Sequence, residues 1–153
     1  MAELHPKDLT KEAPRSPHER LGGFSILARA IDKCRAFIAG AQGEYYFDCP
    51  VDRMLFAFKG INAEEFKIFV AEGHSDEEIV EWVKSHGNQK SDDEIAIWSD
   101  GVDGTTYNND PEKMEWFSGE CKRLGIDPSS TTLFQYLDID DKACFDESGS
   151  CPI

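Results

Sequence analysis

Asn62–Ser99 reads NAEEFKIFVAEGHSDEEIVEWVKSHGNQKSDDEIAIWS, and three helix starts are written into it. Asn62, Ser75 and Ser91 each offer a side-chain oxygen, and each is followed three residues later by Glu65, Glu78 or Glu94. Such an oxygen accepts a hydrogen bond from an otherwise orphaned N–H of the first helical turn, and the glutamate reaches back to the N–H of the cap. Further acids in those turns oppose the positive end of the helix dipole. Gly73, Gly87 and Gly101 stand where the three helices should stop. Asp110-Pro111-Glu112 adds a fourth start with Pro at the first helical position, and Gly125 is its stop. This spacing predicts helices over about 63–72, 76–86 and 92–99, a loop over 99–110, and a longer helix from Pro111 to Leu124.

Upstream, Phe24, Leu27, Ile31, Cys34 and Ile38 recur at steps of three and four, with Ala28 beside them. They predict an amphipathic helix ending near Gly40, with Arg29 and Lys33 on the face away from the apolar stripe. Ser16-Pro17 opens a short helical turn, His18 to Leu21. Gln42 to Phe47 is a turn with an aromatic run, either a short strand or a packed loop. Asp48-Cys49-Pro50 opens a helix carrying Val51, Leu55, Phe56 and Phe58, closed by Gly60. Downstream, Asp127-Pro128 leads into Leu133, Phe134, Tyr136 and Leu137. The fold class expected is all-α: a single compact domain of six or seven short helices over 16–145, with an extended arm at 1–15 and a tail at 146–153.

A chain of 153 residues is one domain by length. Its net charge is −14: residues 1–36 carry +2 and the remainder −16. A field of that sign repels phosphate backbones, so neither nucleic acid nor an anionic membrane is an expected partner. No apolar run approaches the roughly 18–20 residues of a membrane span. Met1 to Lys7 lacks the apolar region of a signal peptide, so a cytoplasmic protein is expected. The five cysteines are an odd number with no C-x-x-C pair, so neither a disulfide framework nor a structural zinc site is expected. Calcium-loop spacing fails from both Asp100 and Asp138, and the Asp100–Gly104 stretch reads as a pair of turns. No phosphate loop, nucleophile elbow or dinucleotide fingerprint is present, so no metal or cofactor is called for.

Asp8-Leu9-Thr10, Pro14-Arg15-Ser16-Pro17, Leu21-Gly22-Gly23, Ile31-Asp32-Lys33, Arg35-Ala36, Gly43-Glu44-Tyr45 and Asp48-Cys49-Pro50-Val51-Asp52 follow one another in the N-terminal half. In that order they resemble the bacterial domain-of-unknown-function family numbered 5069, over about Asp8 to Leu137. The resemblance implies a bacterial, intracellular, single-domain protein. It carries over no activity, cofactor or site residue.

Two groups of residues have chemistry to offer. Arg15, Arg20, Arg29, Lys33 and Arg35 gather cations in an acidic chain, around Gly22-Gly23 ahead of a helix N-terminus. Bare N–H groups and the dipole there can hold an anion. The competing reading makes these residues ion-pair partners for the acidic body. The second group is Tyr45, Asp48, Cys49 and Asp52. A helix N-terminus favours thiolate, but it offers about half a charge against two full carboxylates. An unreactive, structural thiol is therefore expected, and a Cys49 buried among Leu and Phe would dispose of any catalytic role. Trp82, Trp98, Trp116 and Tyr107 are either groove-lining or half-buried core, and core is the commoner fate. The expected function is that of a non-catalytic binding or adaptor protein, its partner a small anion at the basic helix or another protein. The alternative is a small enzyme or redox-responsive protein built on Cys49 with Asp48, Asp52 and Tyr45.

Overall fold

Side-chain caps start five of the seven helices found among the described residues. The structure, a computed structural model, describes residues 6–145. Its helices are α1 (Leu27–Ala39), α2 (Pro50–Lys59), α3 (Ala63–Ala71), α4 (Asp76–Ser85), α5 (Asp92–Asp103), α6 (Pro111–Leu124) and α7 (Leu133–Cys144). Asn62 Oδ1 accepts from the N–H groups of Glu64 and Glu65 at 2.8 and 3.1 Å. Ser75 and Ser91 form reciprocal boxes with Glu78 and Glu94, and Asp110 accepts from the Lys113 N–H. Thr132 and Gln135 make a further box at the start of α7, one that the T-x-x-Q spacing also encodes. No strand forms among the described residues, and the all-α class holds.

The seven helices form one domain around α1. Its residues Leu27 to Cys34, and Ala36, are all buried, the charged ones included. This corrects the assignment of Arg29 and Lys33 to an outward face: each is only 3% exposed. An apolar stripe marks one packed face. It does not mark the opposite face as solvated when a second layer of helices supplies partners for the charges. Ile38, expected on the packed face, is 45% exposed, because the last turn of α1 runs beyond the core.

Phe24 lies outside α1. Leu21 and Phe24 exchange backbone hydrogen bonds across Gly22-Gly23 in a tight turn, in place of a helical turn at 18–21. Gly22 has φ +61°, and a Cβ there would lie 2.5 Å from Val80 Cγ1, so only glycine fits. Ile26 precedes α1 without a side-chain cap, and other segments tie that approach down instead. Ser25 N–H donates to Ser99 Oγ at 2.9 Å, and Ser25 Oγ donates to Asp103 Oδ1 at 2.7 Å. These bonds also explain why α5 continues past Gly101 to Asp103, where turns were expected. A glycine costs about 1 kcal/mol inside a helix. Arg20, bonded to Asp100 and Asp103, and Ser25 hold the last turn of α5 in place.

The Tyr45 region is a packed loop and not a hairpin. Phe47 stacks on Phe66, which with Phe56 and Trp82 forms an aromatic layer of the core. Residues 6–15 lie along the domain: Leu9 is buried and its N–H donates to Ala41 O at 2.8 Å. Residues 1–5 of the arm and the 146–153 tail lie outside the described residues.

Candidate functional site

Three of the five candidate anion-site cations are committed elsewhere. Arg15 reaches Asp32 through Nε and Nη2, both at 3.1 Å, and Asp76 through Nη1 at 2.9 Å. Arg35 pairs with the other oxygen of Asp76 at 3.0 Å and donates to His74 O. Burial alone would raise the Asp76 carboxyl, but the hydrogen bonds and charges of Arg15 and Arg35 outweigh it and hold it below the usual carboxylate range. Arg20 pairs with Asp100 and Asp103 on α5. Gly22-Gly23 abuts Val80 and Ile95, two apolar side chains. Arg15, Arg20 and Arg35 thus clamp the segment before α1, and α1 itself, to α4 and α5.

Arg29 and Lys33 do converge, and they meet the second candidate group. Both line a cavity of about 290 Å³ whose walls include Tyr45, Cys49, Trp116 and Tyr136. Helix α1 supplies the two cations, the 41–49 loop supplies Tyr45 and Cys49, and α6 and α7 supply Trp116 and Tyr136. Arg29 grips Asp141 of α7 with two bonds, of 2.7 and 3.2 Å, and the Tyr45 hydroxyl donates to the same carboxylate at 2.8 Å. Burial, followed by the Asp141 charge, pushes the Tyr45 phenol well up, so it stays a donor. Burial and a 2.7 Å bond to Glu120 do the same for Tyr136.

Lys33 Nζ donates to Cys49 Sγ at 3.0 Å and lies 3.1 Å from Asp52 Oδ2. That oxygen also accepts from the backbone N–H groups of Asp48 and Cys49, so Asp52 ties the start of α2 together. Asp48 holds φ +62° to allow this and turns its own carboxylate to Arg53 at 3.2 Å. Asp52 is fully buried, yet its Oδ1 has no hydrogen-bond partner among the described residues. A buried acceptor without a donor costs about 1–3 kcal/mol. Cys49 itself is half-buried, against an ammonium and a cavity. The condition that would have removed it from consideration, a thiol sealed among Leu and Phe, is not met.

A larger groove, about 730 Å³, runs between α2 and α3 past Phe37, Phe56, Arg53 and Lys67. Its charged side chains pair locally, Arg53 with Asp48 and Lys67 with Glu64. No buried charge faces it, so we place the candidate site in the smaller cavity. Among the described residues no group of three or more His, Cys, Asp or Glu side chains is arranged to hold a metal ion. No described helix is long and apolar enough to cross a membrane. Trp82 and Trp98 are half-buried core, whereas Trp116 is 53% exposed.

Asp141 was not picked out from the sequence, and Tyr136 was read only as part of the last segment, not of the site. Asp141 is 112 residues from Arg29, and no local pattern links them. The signal available was indirect: a helix whose cations are buried requires acids from other elements.

Among the described residues the fold and cavity define an all-α, seven-helix domain with a buried ionic cluster beside a small aromatic-walled pocket. Residues 11–143 match the family described as a domain of unknown function, DUF5069, and the chain belongs to that family. Comparison with curated proteins gives no match.

Proposed function

We propose that this chain is a non-catalytic binding protein of the bacterial cytoplasm, and that the cavity beside Lys33 holds a small molecule bearing one anionic group on a flat apolar body. The Lys33 ammonium carries the reading. It is buried and has three N–H donors. Among the described residues Cys49 and Asp52 occupy two, which leaves one for a ligand in the cavity that Lys33 lines. The walls suit a flat apolar body: Tyr45, Trp116 and Tyr136 present rings. Asp140, also on the wall, is neutralised by Arg123 at 2.8 Å, and Glu44 is exposed, where water screens its charge. Of the five cations first considered, this reading uses Lys33 as the ligand's partner; Arg29, bonded to Asp141 and to the Arg15 carbonyl, shapes the cavity wall. The excess of acid elsewhere supports a partner other than nucleic acid.

A thermal-shift series on the full chain tests this reading, with benzoate, longer aryl carboxylates, aliphatic carboxylates and inorganic phosphate as probes. A ligand bound only by the folded state raises the melting temperature. Aryl carboxylates should give a saturable rise that Trp116→Ala weakens. No rise with any probe, or a rise that Trp116→Ala leaves unchanged, refutes the assignment.

A further inference from the structure

Cys34 and Cys121 are sealed in the core, fully buried, and burial pushes the Cys34 thiol up to about 12. Cys49 differs in three ways that bear on its chemistry. It lines a cavity that admits molecules of the size of water or peroxide. Its sulfur touches the Lys33 ammonium at 3.0 Å. The two carboxylates expected to oppose a thiolate there are each paired with a cation, Asp48 with Arg53 and Asp52 with Lys33. Beside this pair lies the buried Asp52 Oδ1, an acceptor without a donor among the described residues. A buried acceptor of this kind calls for an explanation, a bound water or a redox or catalytic role among them.

We infer that Cys49 is a site of oxidation by hydrogen peroxide, and that its sulfenic acid condenses with the Lys33 amine into a sulfur–nitrogen cross-link between α1 and the start of α2. In the first step a sulfur lone pair forms the S–O bond and the peroxide O–O bond breaks. Sulfur is oxidised by two electrons and peroxide is reduced. The departing hydroxide takes a proton from the Lys33 ammonium and leaves as water, and the proton lost by the thiol restores the ammonium. In the second step the Lys33 nitrogen gives up a proton and attacks the sulfenic sulfur. The S–N bond forms, the S–O bond breaks, and the hydroxyl leaves as water with a second proton from that nitrogen. The proton not carried off by water passes to Asp52, 3.1 Å from Lys33 Nζ. The balance is one sulfenic acid, one ammonium and one carboxylate in, and one S–N bond, one water and one carboxylic acid out. Asp52 has to accept that proton, because a buried carboxylate that has lost its cation is stable only when neutral. A low-molecular-weight thiol reverses the link by attacking sulfur and releasing the amine.

Peroxide treatment of the full chain, followed by iodoacetamide and tryptic mass mapping, tests this inference. It reads a covalent bond, so its outcome is independent of whether any carboxylate binds the cavity. The expected result is loss of alkylation at Cys49 while Cys34 and Cys121 stay unmodified. Cleavage after Lys33 should disappear, and a peptide pair joining Lys33 to Cys49 should appear, lighter than the sum of its parts by two hydrogen atoms. Dithiothreitol should restore both residues. In Lys33→Arg, which keeps the positive charge, the joined pair should vanish and dimedone should trap Cys49 as its sulfenic acid. Cys49 still fully alkylated after peroxide overturns the inference. So does Cys49 carrying added oxygen while Lys33 remains cleavable.

Discussion

Arg29→Ala separates a buried cation from a surface one. Arg29 and Asp141 are 4% and 11% exposed at their side chains, and two bonds join them. Removing the guanidinium leaves Asp141 in the interior with the Tyr45 hydroxyl as its remaining donor at 2.8 Å. Truncating one member of a buried pair costs about 3–5 kcal/mol. The Tyr45 bond, about 1.5–3 kcal/mol as a hydrogen bond to a charged group, keeps the cost toward the lower end of that range. Arg20→Ala is the control. Its partners Asp100 and Asp103 are 76% and 24% exposed, and exposed pairs are worth about 1 kcal/mol or less. Urea unfolding followed by circular dichroism, at constant m, gives both values. Arg29→Met combined with Asp141→Leu should recover part of the loss, because both charges then leave the interior together while the Tyr45 hydroxyl loses its acceptor. Equal costs for Arg29→Ala and Arg20→Ala would refute the placement of Arg29.

Two further outcomes follow from the caps and from Asp76. Ser75→Ala should cost about 1 kcal/mol in the same assay, through loss of the bond from the Glu78 N–H, and no change would deny Ser75 its place at the start of α4. The folded-state carboxyl of Asp76 titrates lower than it does unfolded, so its stabilisation is complete above about pH 4 and is lost as pH falls through the folded value. Asp76→Asn should therefore lower stability at neutral pH and flatten the acid limb of the stability profile. An acid limb parallel to the wild type would show that Arg15 and Arg35 do not act through Asp76.

Local chemistry made the fold legible. Asn62, Ser75, Ser91 and Asp110 bond to groups two or three residues away, so a short window of sequence contains the whole interaction. The end of α5 was not legible, because Gly101 reads as a stop and its rescue comes from Arg20 and Ser25, far off in sequence. The packing of α1 was half legible. Its apolar stripe shows in the spacing of Leu27, Ile31 and Cys34, but the burial of Arg29 and Lys33 depends on Asp141 and Asp52 from other helices. The site suffered in the same way. Its residues were named in two separate groups, and only tertiary structure shows Arg29 and Lys33 of one sharing a cavity with Tyr45 and Cys49 of the other.

The uneven charge of the chain finds its use in this arrangement. The first 36 residues carry an excess of +2 and the rest −16. The N-terminal cations Arg15, Arg20, Arg29, Lys33 and Arg35 reach acids on α4, α5, α7, α2 and again α4. Each helix beside α1 that gives up an acid is thereby placed against one particular cation. Apolar packing alone would tolerate α1 rotated by a fraction of a turn, since Ile, Leu and Ala exchange places at modest cost. A rotation that parts Lys33 from Asp52 leaves two buried charges without partners, a loss of several kcal/mol. The ionic contacts therefore fix the register of α1. In the same act they place the ammonium of Lys33 against Cys49 at the cavity. Lys33 both aligns the central helix and lines the cavity, so its substitutions should be read for stability before they are read for the binding proposed above.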